Sequence, residues 1–223
     1  MPSTPTLRLE HELLAQGYRY VAGIDEAGRG AWAGPVIAAA VILPLDKPDV
    51  LEELTAAGVN DSKKLTPRKR ERLADLIRAR AVAVGFGGVS ARFIDRDGIL
   101  KATRKAMQRA VSILPTPPDA LLIDAVDLSS LVPLPQKFMP YGDSLSLSIA
   151  AASIIAKVSR DTFMAQLDER YPGYNFTRHK GYGTRAHREA LERVGVSELH
   201  RKTYKPVAKL MEVNDERNRT AIA

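Results

Sequence analysis

Apolar runs of strand length alternate with helical patterns along this chain, and their order predicts the fold class. Two buried runs come first, and a glycine-bearing segment between them predicts a hairpin. The last run is short and lies among prolines, which is typical of an edge strand. The predicted strands cover residues 20–24, 36–43, 81–89, 120–126 and 138–141. This order indicates an α/β protein with a mixed β-sheet of about five strands flanked by helices.

Helix signals lie between and after these runs. Thr66 can cap a helix that has Pro67 at its first position. A later helix carries a periodic apolar stripe and is stopped by prolines, and a long helix follows the last strand. The predicted starts of these two helices are Asp95 or Gly98 and Asp143 or Ser144, and the predicted ends are Leu114 and about Tyr171.

The domain organisation follows from the same pattern, which contains no repeat and no linker long enough to separate two independent domains. Residues 1–223 are predicted to form a single unit. Within it we expect a sheet domain over residues 18–171, a basic helical region over 172–210 and a polar tail over 211–223.

Composition narrows the class of protein. The absence of cysteine excludes disulfides, thiolate metal sites and cysteine nucleophiles, and a reducing cytoplasm is the expected location. The N-terminus lacks the apolar core of a signal peptide, and the most apolar stretch, residues 145–156, is too short to span a bilayer. We therefore expect no membrane segment.

The net charge of +7 is unevenly distributed. Residues 177–210 contain nine Lys or Arg but three Glu, and a second basic cluster lies at residues 61–72. Both could be solvated helix faces. Glycines and tyrosines among the basic residues favour contacts with a polyanion, because such mixtures suit phosphates and sugars.

Four carboxylates lie where apolar runs end or a helix begins: Asp25, Glu26, Asp124 and Asp143. Each alone could open a turn, end a strand or cap a helix. Together they can meet at one edge of a sheet, and carboxylates without His or Cys suit Mg²⁺ or Mn²⁺. Two such ions catalyse phosphodiester hydrolysis in many enzymes. The adjacent pair can serve one site only if its strand ends or bulges there.

A short glycine loop, Gly28-Arg29-Gly30, follows the first carboxylate pair. Its glycines permit close approach of backbone to a ligand, with a guanidinium between them. The chain contains neither a nucleotide phosphate-binding fingerprint nor the H-E-x-x-H zinc motif. An ATPase, a dinucleotide enzyme and a zinc hydrolase are therefore disfavoured.

These residues, taken together, resemble the type 2 ribonuclease H family, ribonuclease HII, over about residues 18–207. Three sequence features depart from the family pattern. Ala125-Val126 follows Asp124 where many relatives have Gly-Asn, Tyr141 stands where Lys is common, and Thr203-Tyr204 stand where Ser-Phe is usual. The motifs that carry the resemblance are residues 20–30, 33–36, 61–65, 142–144 with 150–157, 160–161, 179–184, 200–201 and 206–207.

The resemblance implies a ribonuclease H-like fold and an endoribonuclease. The implied substrates are RNA–DNA hybrids and duplex DNA with single embedded ribonucleotides, cut on the 5′ side to leave 3′-hydroxyl and 5′-phosphate ends. The carboxylates named above would be the catalytic ligands of Mg²⁺ or Mn²⁺, with two ions in the substrate complex. The residues expected to contact substrate are Gly28, Arg29, Gly30, Lys63, Lys180, Tyr182 and Arg201.

Two alternative functions compete with this interpretation. A non-catalytic protein that binds hybrids or double-stranded RNA gains nothing from four negative charges beside a polyanion. A DNA-directed nuclease or resolvase on the same scaffold is disfavoured by Tyr182 and the glycine loop, which suit readout of a 2′-hydroxyl. We further expect a monomer, and no sliding-clamp peptide, because the tail lacks paired aromatic residues.

Overall fold

The computed structural model describes residues 4–212 and contains a five-stranded mixed sheet in the order β3-β2-β1-β4-β5. β1 pairs antiparallel with β2 and parallel with β4, and β4 pairs parallel with β5. The fold-class prediction is confirmed, and β5 lies at an edge as its prolines indicated. The strands are β1 (Val21–Ala27), β2 (Val36–Ile42), β3 (Ala83–Val89), β4 (Ala120–Asp124) and β5 (Gln136–Met139).

Helices connect and cover the strands. Short 3₁₀ turns form at Ser62–Lys64 and Gly142–Ser144, and residues 205–212 are also helical. The other helices are α1 (Arg8–Leu14), α2 (Pro48–Ala57), α3 (Pro67–Arg80), α4 (Ala91–Asp97), α5 (Ile99–Ser112), α6 (Leu147–Arg170), α7 (Phe176–His179) and α8 (Arg185–Val194).

The chain forms two compact units. The first contains the described residues up to Ala27 together with Ile37–Gly88 and Thr103–Ser159. The second contains Gly28–Val36, Val89–Ala102 and the described residues from Arg160 onward. The second unit thus includes three segments that lie within the predicted sheet domain, residues 28–36, 89–102 and 160–171.

Small residues let α6 lie directly on the sheet of the first unit. A Cβ added to Gly23 of β1 would lie 2.1 Å from the backbone carbon of Ser148, so only glycine fits at this point. Every residue of β2 is buried, and alanines of β2 and α6 share one apolar cluster. This close packing fixes the first turns of α6 against the strand that carries Asp25.

The start of α3 matches its sequence signal. The Thr66 hydroxyl accepts a hydrogen bond from the Lys69 amide at 3.3 Å, and Pro67 is the first helical residue, as predicted. Helix α2 was not anticipated, since its N-cap residue, Lys47, makes no side-chain capping bond.

Of the other two predicted helix starts, one is confirmed and one is wrong. The helix predicted to follow Asp95 or Gly98 is α5, which begins at Ile99, directly after Gly98. Asp95 belongs to the preceding helix α4, which Ser90 caps and Gly98, at φ 83°, ends. The long helix starts at Leu147, not at Asp143 or Ser144. The Ser146 hydroxyl accepts from the Ile149 amide at 3.1 Å and so acts as its N-cap.

The predicted polar tail overlaps the last described helix, because Met211 and Glu212 continue it. Residues 213–223 lie outside the described part of the chain, and so does the prediction that the tail lacks a sliding-clamp peptide. Within residues 4–212, none of the helices combines the length and the apolar character needed to span a bilayer.

Candidate active site

Asp25 and Glu26 occupy the end of β1. The pairing of β1 with β2 runs without interruption from Ala22 to Ala27, whereas the pairing of β1 with β4 stops at Ile24, immediately before this pair. Asp25 and Glu26 therefore lie where β1 keeps only one of its two neighbouring strands. Glu26 acts on Asp25 both through its charge and through its backbone amide.

Asp25 is 3% exposed and lies in a strongly unfavourable electrostatic position for a carboxylate. Burial, followed by repulsion from the neighbouring charges of Glu26 and Asp124, raises the pKa of Asp25 well above its usual value. Its Oδ1 accepts from the Glu26 amide at 2.6 Å, and Ser153 donates a further bond that partly opposes the shift. The site therefore favours either a proton or a cation beside Asp25.

Asp124 ends β4, the parallel neighbour of β1. Because Ile24 pairs with Ile123, Asp25 and Asp124 occupy equivalent positions on adjacent strands. The Asp124 Oδ1 accepts from the Gly142 amide at 2.8 Å. This bond ties the end of β4 to the turn that carries Asp143, so the three aspartates come from neighbouring segments.

Asp143 lies in the 3₁₀ turn and is 4% exposed. The Lys63 Nζ stands 3.6 Å from Asp143 Oδ2 and 3.9 Å from Asp61 Oδ1. Burial and then the charge of Asp61 raise the pKa of Asp143, while Lys63 opposes the rise. Burial lowers the pKa of Lys63, but attraction to the surrounding aspartates outweighs it and leaves the pKa raised.

The carboxylates suit a cation whose coordination shell is completed by substrate. Within residues 4–212, no three His, Cys, Asp or Glu side chains have the spacing of a complete metal cage. Mg²⁺ commonly binds through one or two carboxylates, with water and substrate phosphates completing its shell. The mutual repulsion of Asp25, Glu26 and Asp124 is the charge pattern that such an ion relieves.

Glu10 of α1 is a site-supporting residue that the sequence interpretation missed. It is fully buried, and its Oε1 accepts from the Ser148 amide at 2.9 Å and from the hydroxyls of Ser146 and Ser148 at 2.6 Å. Backbone bonds from Thr6 to Leu145 and Leu147 flank these contacts. Glu10 therefore holds the first turn of α6 immediately after Asp143. The sequence signal that could have identified Glu10 was an acidic residue next to the apolar residues of α1.

The glycine loop belongs to the second unit and is supported by Arg201. Arg201 is fully buried, and its guanidinium donates to the carbonyls of Gly28 and Arg29 at 2.7 Å each and to that of Gly34. Arg201 was expected to contact substrate, but its nitrogens bond the protein backbone instead. It orders the loop from behind, while Arg29 and Gly30 are exposed.

Tyr182 lies on a loop that buried Arg160 supports. Arg160 donates to the carbonyls of Ala33, Pro35 and Lys180, and its guanidinium carbon lies 5.1 Å from the centre of the Tyr182 ring. Lys180 has φ 52°, which turns the chain before Gly181. Tyr182 itself is half-buried, so part of its ring faces solvent.

Comparison with known proteins identifies the family. The model of the family described as "Ribonuclease HII" matches residues 22–207. The chain belongs to the ribonuclease HII family. A ribonuclease HII of Chloroflexus aurantiacus is 55% identical over 206 residues, which cover 91% of this chain and 94% of the relative.

Solved structures agree with this membership. The ribonuclease H2 of Pyrococcus horikoshii has a TM-score of 0.72 at 26% identity, with 86% of this chain and 97% of the neighbour covered. Bst-RNase HIII in complex with Mn²⁺ has a TM-score of 0.65 at 22% identity, with 87% and 70% covered, and shares the fold. As a member of this family, the chain is an endoribonuclease that acts on RNA–DNA hybrids.

Proposed function

We propose that this protein also cuts duplex DNA on the 5′ side of a single embedded ribonucleotide, leaving 3′-hydroxyl and 5′-phosphate ends. The observation that carries the proposal is the glycine loop directly following β1, the strand of Asp25 and Glu26, because Arg201 holds this loop from behind while Arg29 and Gly30 are exposed. In sequence, the groups suited to a ribose thus lie within five residues of the groups suited to a metal ion.

The chemistry rests on the carboxylates and a divalent metal. Asp25, Glu26, Asp124 and Asp143 would hold two ions, Mg²⁺ or Mn²⁺, in the substrate complex. When bound, such ions lower the pKa of the attacking water and stabilise the leaving oxygen. The Mn²⁺ complex of a structural neighbour supports this assignment. Asp124 contributes by orienting Gly142, and hence Asp143, through its bond to the Gly142 amide.

Lys63 suits a phosphate contact beside Asp143. Its side chain is 78% exposed although it lies near two aspartates, so its ammonium is accessible to a ligand. A positive charge here offsets the repulsion between the aspartates and the phosphates of an incoming strand. We propose the same role for Lys180, which is partly exposed next to the Tyr182 loop.

The glycine loop suits recognition of a 2′-hydroxyl, the group that distinguishes RNA from DNA. No atom lies within 4 Å of the position that a Cβ of Gly30 would occupy, so a sugar can approach the backbone there. Arg201 engages the carbonyls of Gly28 and Arg29 and fixes their direction. The partly exposed Tyr182 ring would stack on the neighbouring sugar and hold the junction in register.

A cleavage assay on matched duplexes tests the proposal. One duplex carries a single ribonucleotide, a second is all DNA and a third is an RNA–DNA hybrid, each incubated with Mg²⁺, Mn²⁺ or a chelator. We expect metal-dependent cleavage at the 5′ side of the ribonucleotide and none of the all-DNA duplex. Equal cleavage of the all-DNA duplex would favour a DNA-directed nuclease, and binding without cleavage would favour a non-catalytic binder.

Two variants separate the parts of the proposal. Gly30→Ala places a methyl group where the sugar would approach, and it should weaken cleavage at the single ribonucleotide more than cleavage of the hybrid. Tyr182→Ala should do the same with little change in melting temperature. An equal loss on both substrates, with a large drop in melting temperature, would show that Tyr182 is a packing residue.

A further inference from the structure

Three of the four histidines of the chain lie together in the second unit: His179, His187 and His200. All three are buried, and the His187 ring lies between the other two, with ring centres 4.3 Å from His179 and 5.3 Å from His200. Phe176 packs against all three rings. Buried polar groups require hydrogen-bond partners. The partners of the three rings therefore show which segments of the chain the histidines hold in place.

The hydrogen bonds of His187 and His200 run in one direction. The Ser197 amide donates to His200 Nδ1 at 3.0 Å, so neutral His200 carries its proton on Nε2. That proton is donated to His187 Nε2 at 3.1 Å, which leaves the His187 proton on Nδ1. His187 Nδ1 in turn donates to the Tyr182 carbonyl at 3.0 Å. Both tautomers are thus fixed by their neighbours.

This chain of bonds ends on the peptide of Tyr182. The Thr184 amide donates to the same carbonyl at 2.8 Å, and the Tyr182 amide donates to the His179 carbonyl at 2.9 Å. The Gly181 amide donates to His179 Nδ1 at 3.2 Å. The backbone around Tyr182 is therefore held in place by histidines before and after it in the sequence.

The chain works only while both rings are neutral. A second proton on His187 would lie on Nε2 and would place two N–H donors face to face across the 3.1 Å contact. A second proton on His200 would lie on Nδ1 and would face the N–H of the Ser197 amide. Burial, and then the neighbouring histidine, lower the pKa of His187 and of His200 to about 4. At neutral pH both rings are accordingly uncharged, and the chain is complete.

We propose that His187 and His200 are positioning residues that fix the Tyr182 ring through the bond from His187 Nδ1 to the Tyr182 carbonyl. The proposal rests on the proposed function, because it gives Tyr182 its role at the ribonucleotide–DNA junction. Both histidines are buried, so they would act through Tyr182. Their effect is on the preference for a single ribonucleotide over a long hybrid, expressed as the ratio of the two kcat/KM values.

Two substitutions of His187 distinguish its hydrogen bond to the Tyr182 carbonyl from its hydrogen bond with His200. In His187→Asn the side-chain amide can still donate to the Tyr182 carbonyl, in the place of Nδ1. In His187→Gln the amide oxygen reaches the position of Nε2 and keeps the bond from His200, while the bond to Tyr182 is lost. We expect His187→Gln to lower the junction preference about tenfold or more and His187→Asn to stay within about threefold.

Tyr174→Phe is the matched control for packing. Tyr174 lies in the same aromatic cluster, and its hydroxyl donates to the Gly195 carbonyl, not to the Tyr182 loop. Its substitution should lower the melting temperature without changing the junction preference. If Tyr182→Ala abolishes the preference and His187→Gln leaves it intact, the positioning role is wrong and the proposed function stands. If the unmodified enzyme shows no such preference, the proposed function fails first.

Nitrogen NMR of the unmodified protein tests the geometry without any activity measurement. In ¹⁵N-labelled protein at pH 7, His187 should show the Nδ1–H tautomer and His200 the Nε2–H tautomer. In Tyr182→Ala both tautomers should persist, because the bond goes to the backbone carbonyl. A charged ring, or the Nε2–H tautomer at His187, would overturn the proposal.

Discussion

Asp25 shows at the scale of one residue how function and stability oppose each other. A carboxylate that is buried beside Glu26 and Asp124 is held there at a cost, as its raised pKa indicates. Replacing it with Asn removes the repulsion while an amide oxygen can still accept from the Glu26 amide. We expect Asp25→Asn to raise the free energy of unfolding in the absence of metal by about 0.5–2 kcal/mol and to abolish most cleavage.

Urea unfolding in a chelator measures this effect, and Asp75→Asn is a suitable control. Asp75 is exposed and pairs with Arg78, so its substitution should change stability by less than about 0.5 kcal/mol. Added Mg²⁺ should stabilise the unmodified protein more than Asp25→Asn, since binding to the folded state adds stability. A destabilised variant with normal cleavage would contradict the role given to Asp25.

At the scale of elements, the start of α6 depends on a carboxylate from α1. Glu10→Ala leaves the Ser148 amide and two buried hydroxyls without their acceptor. We expect a loss of about 2–4 kcal/mol in the free energy of unfolding, because several buried donors lose their partner together. The cleavage rate should fall as well, since the turn with Asp143 directly precedes this helix.

Glu12→Ala provides the comparison within the same helix. Glu12 is partly exposed and pairs with Arg8 and Lys137, so its removal should cost less than about 1 kcal/mol. Glu10→Gln keeps an acceptor oxygen and should fall between the two alanine variants. The role of Glu10 in fixing α6 is refuted if Glu10→Ala and Glu12→Ala lose equal stability and retain equal activity.

The starts of α3 and α6 show which elements could be predicted from sequence and which could not. The start of α3 was predictable because Thr66 and Pro67 act within one turn of each other. The start of α6 was not, because Asp143 has the local character of an N-cap while distant contacts decide its structure. Asp124 holds Gly142 across 18 residues, and Glu10 holds Ser148 across 138. A local capping rule has no access to either contact.

Buried charged residues and buried histidines are a second kind of feature that could not be predicted fully from the sequence. Arg201 was predicted to contact substrate from the family resemblance, yet it is fully buried and its guanidinium bonds three backbone carbonyls. The carboxylate positions at the ends of β1 and β4 were predictable, because a charge that follows an apolar strand is unusual in itself. The histidine cluster was not, since His179, His187 and His200 carry no motif spacing that links them.

At the scale of the whole molecule, the positive charge of the second unit predicts salt-sensitive binding. Arg178 and Lys202 are exposed, and neither belongs to the buried core of the second unit. Arg178→Gln or Lys202→Gln should weaken binding to hybrid and DNA duplex alike. Each lost phosphate contact should reduce the slope of log K against log salt by about 0.9.

Fluorescence anisotropy at several salt concentrations measures that slope. Arg78→Gln makes the same change of charge on α3, where Arg78 pairs with Asp75, and it should leave the slope unchanged. A loss of affinity confined to one duplex sequence would contradict a backbone contact. An unchanged slope in Arg178→Gln and Lys202→Gln would identify these residues as solvated surface charges.

The two units should respond to acid in opposite directions. In the first unit the pKa values of Asp25 and Asp143 are raised by burial and neighbouring carboxylates, so protonation favours the folded state. Their contribution to stability is full below the unfolded pKa of about 4 and is lost as pH rises through the raised folded values. Lowering the pH from 7 should therefore remove the destabilisation that these two carboxylates cause in this unit.

In the second unit the folded pKa values of His187 and His200 are about 4, below the unfolded value of 6.5. Their contribution is present above pH 6.5 and is lost as the pH falls toward 4, because the unfolded state takes up protons first. Hydrogen exchange at pH 7 and pH 5, corrected for intrinsic rates, should show protection falling in α8 and rising or holding in β1 and β4. A uniform fall of protection in both units would contradict this expectation. It would mean that the buried aspartates do not repel their neighbours, so that neither a proton nor a metal ion relieves a repulsion there.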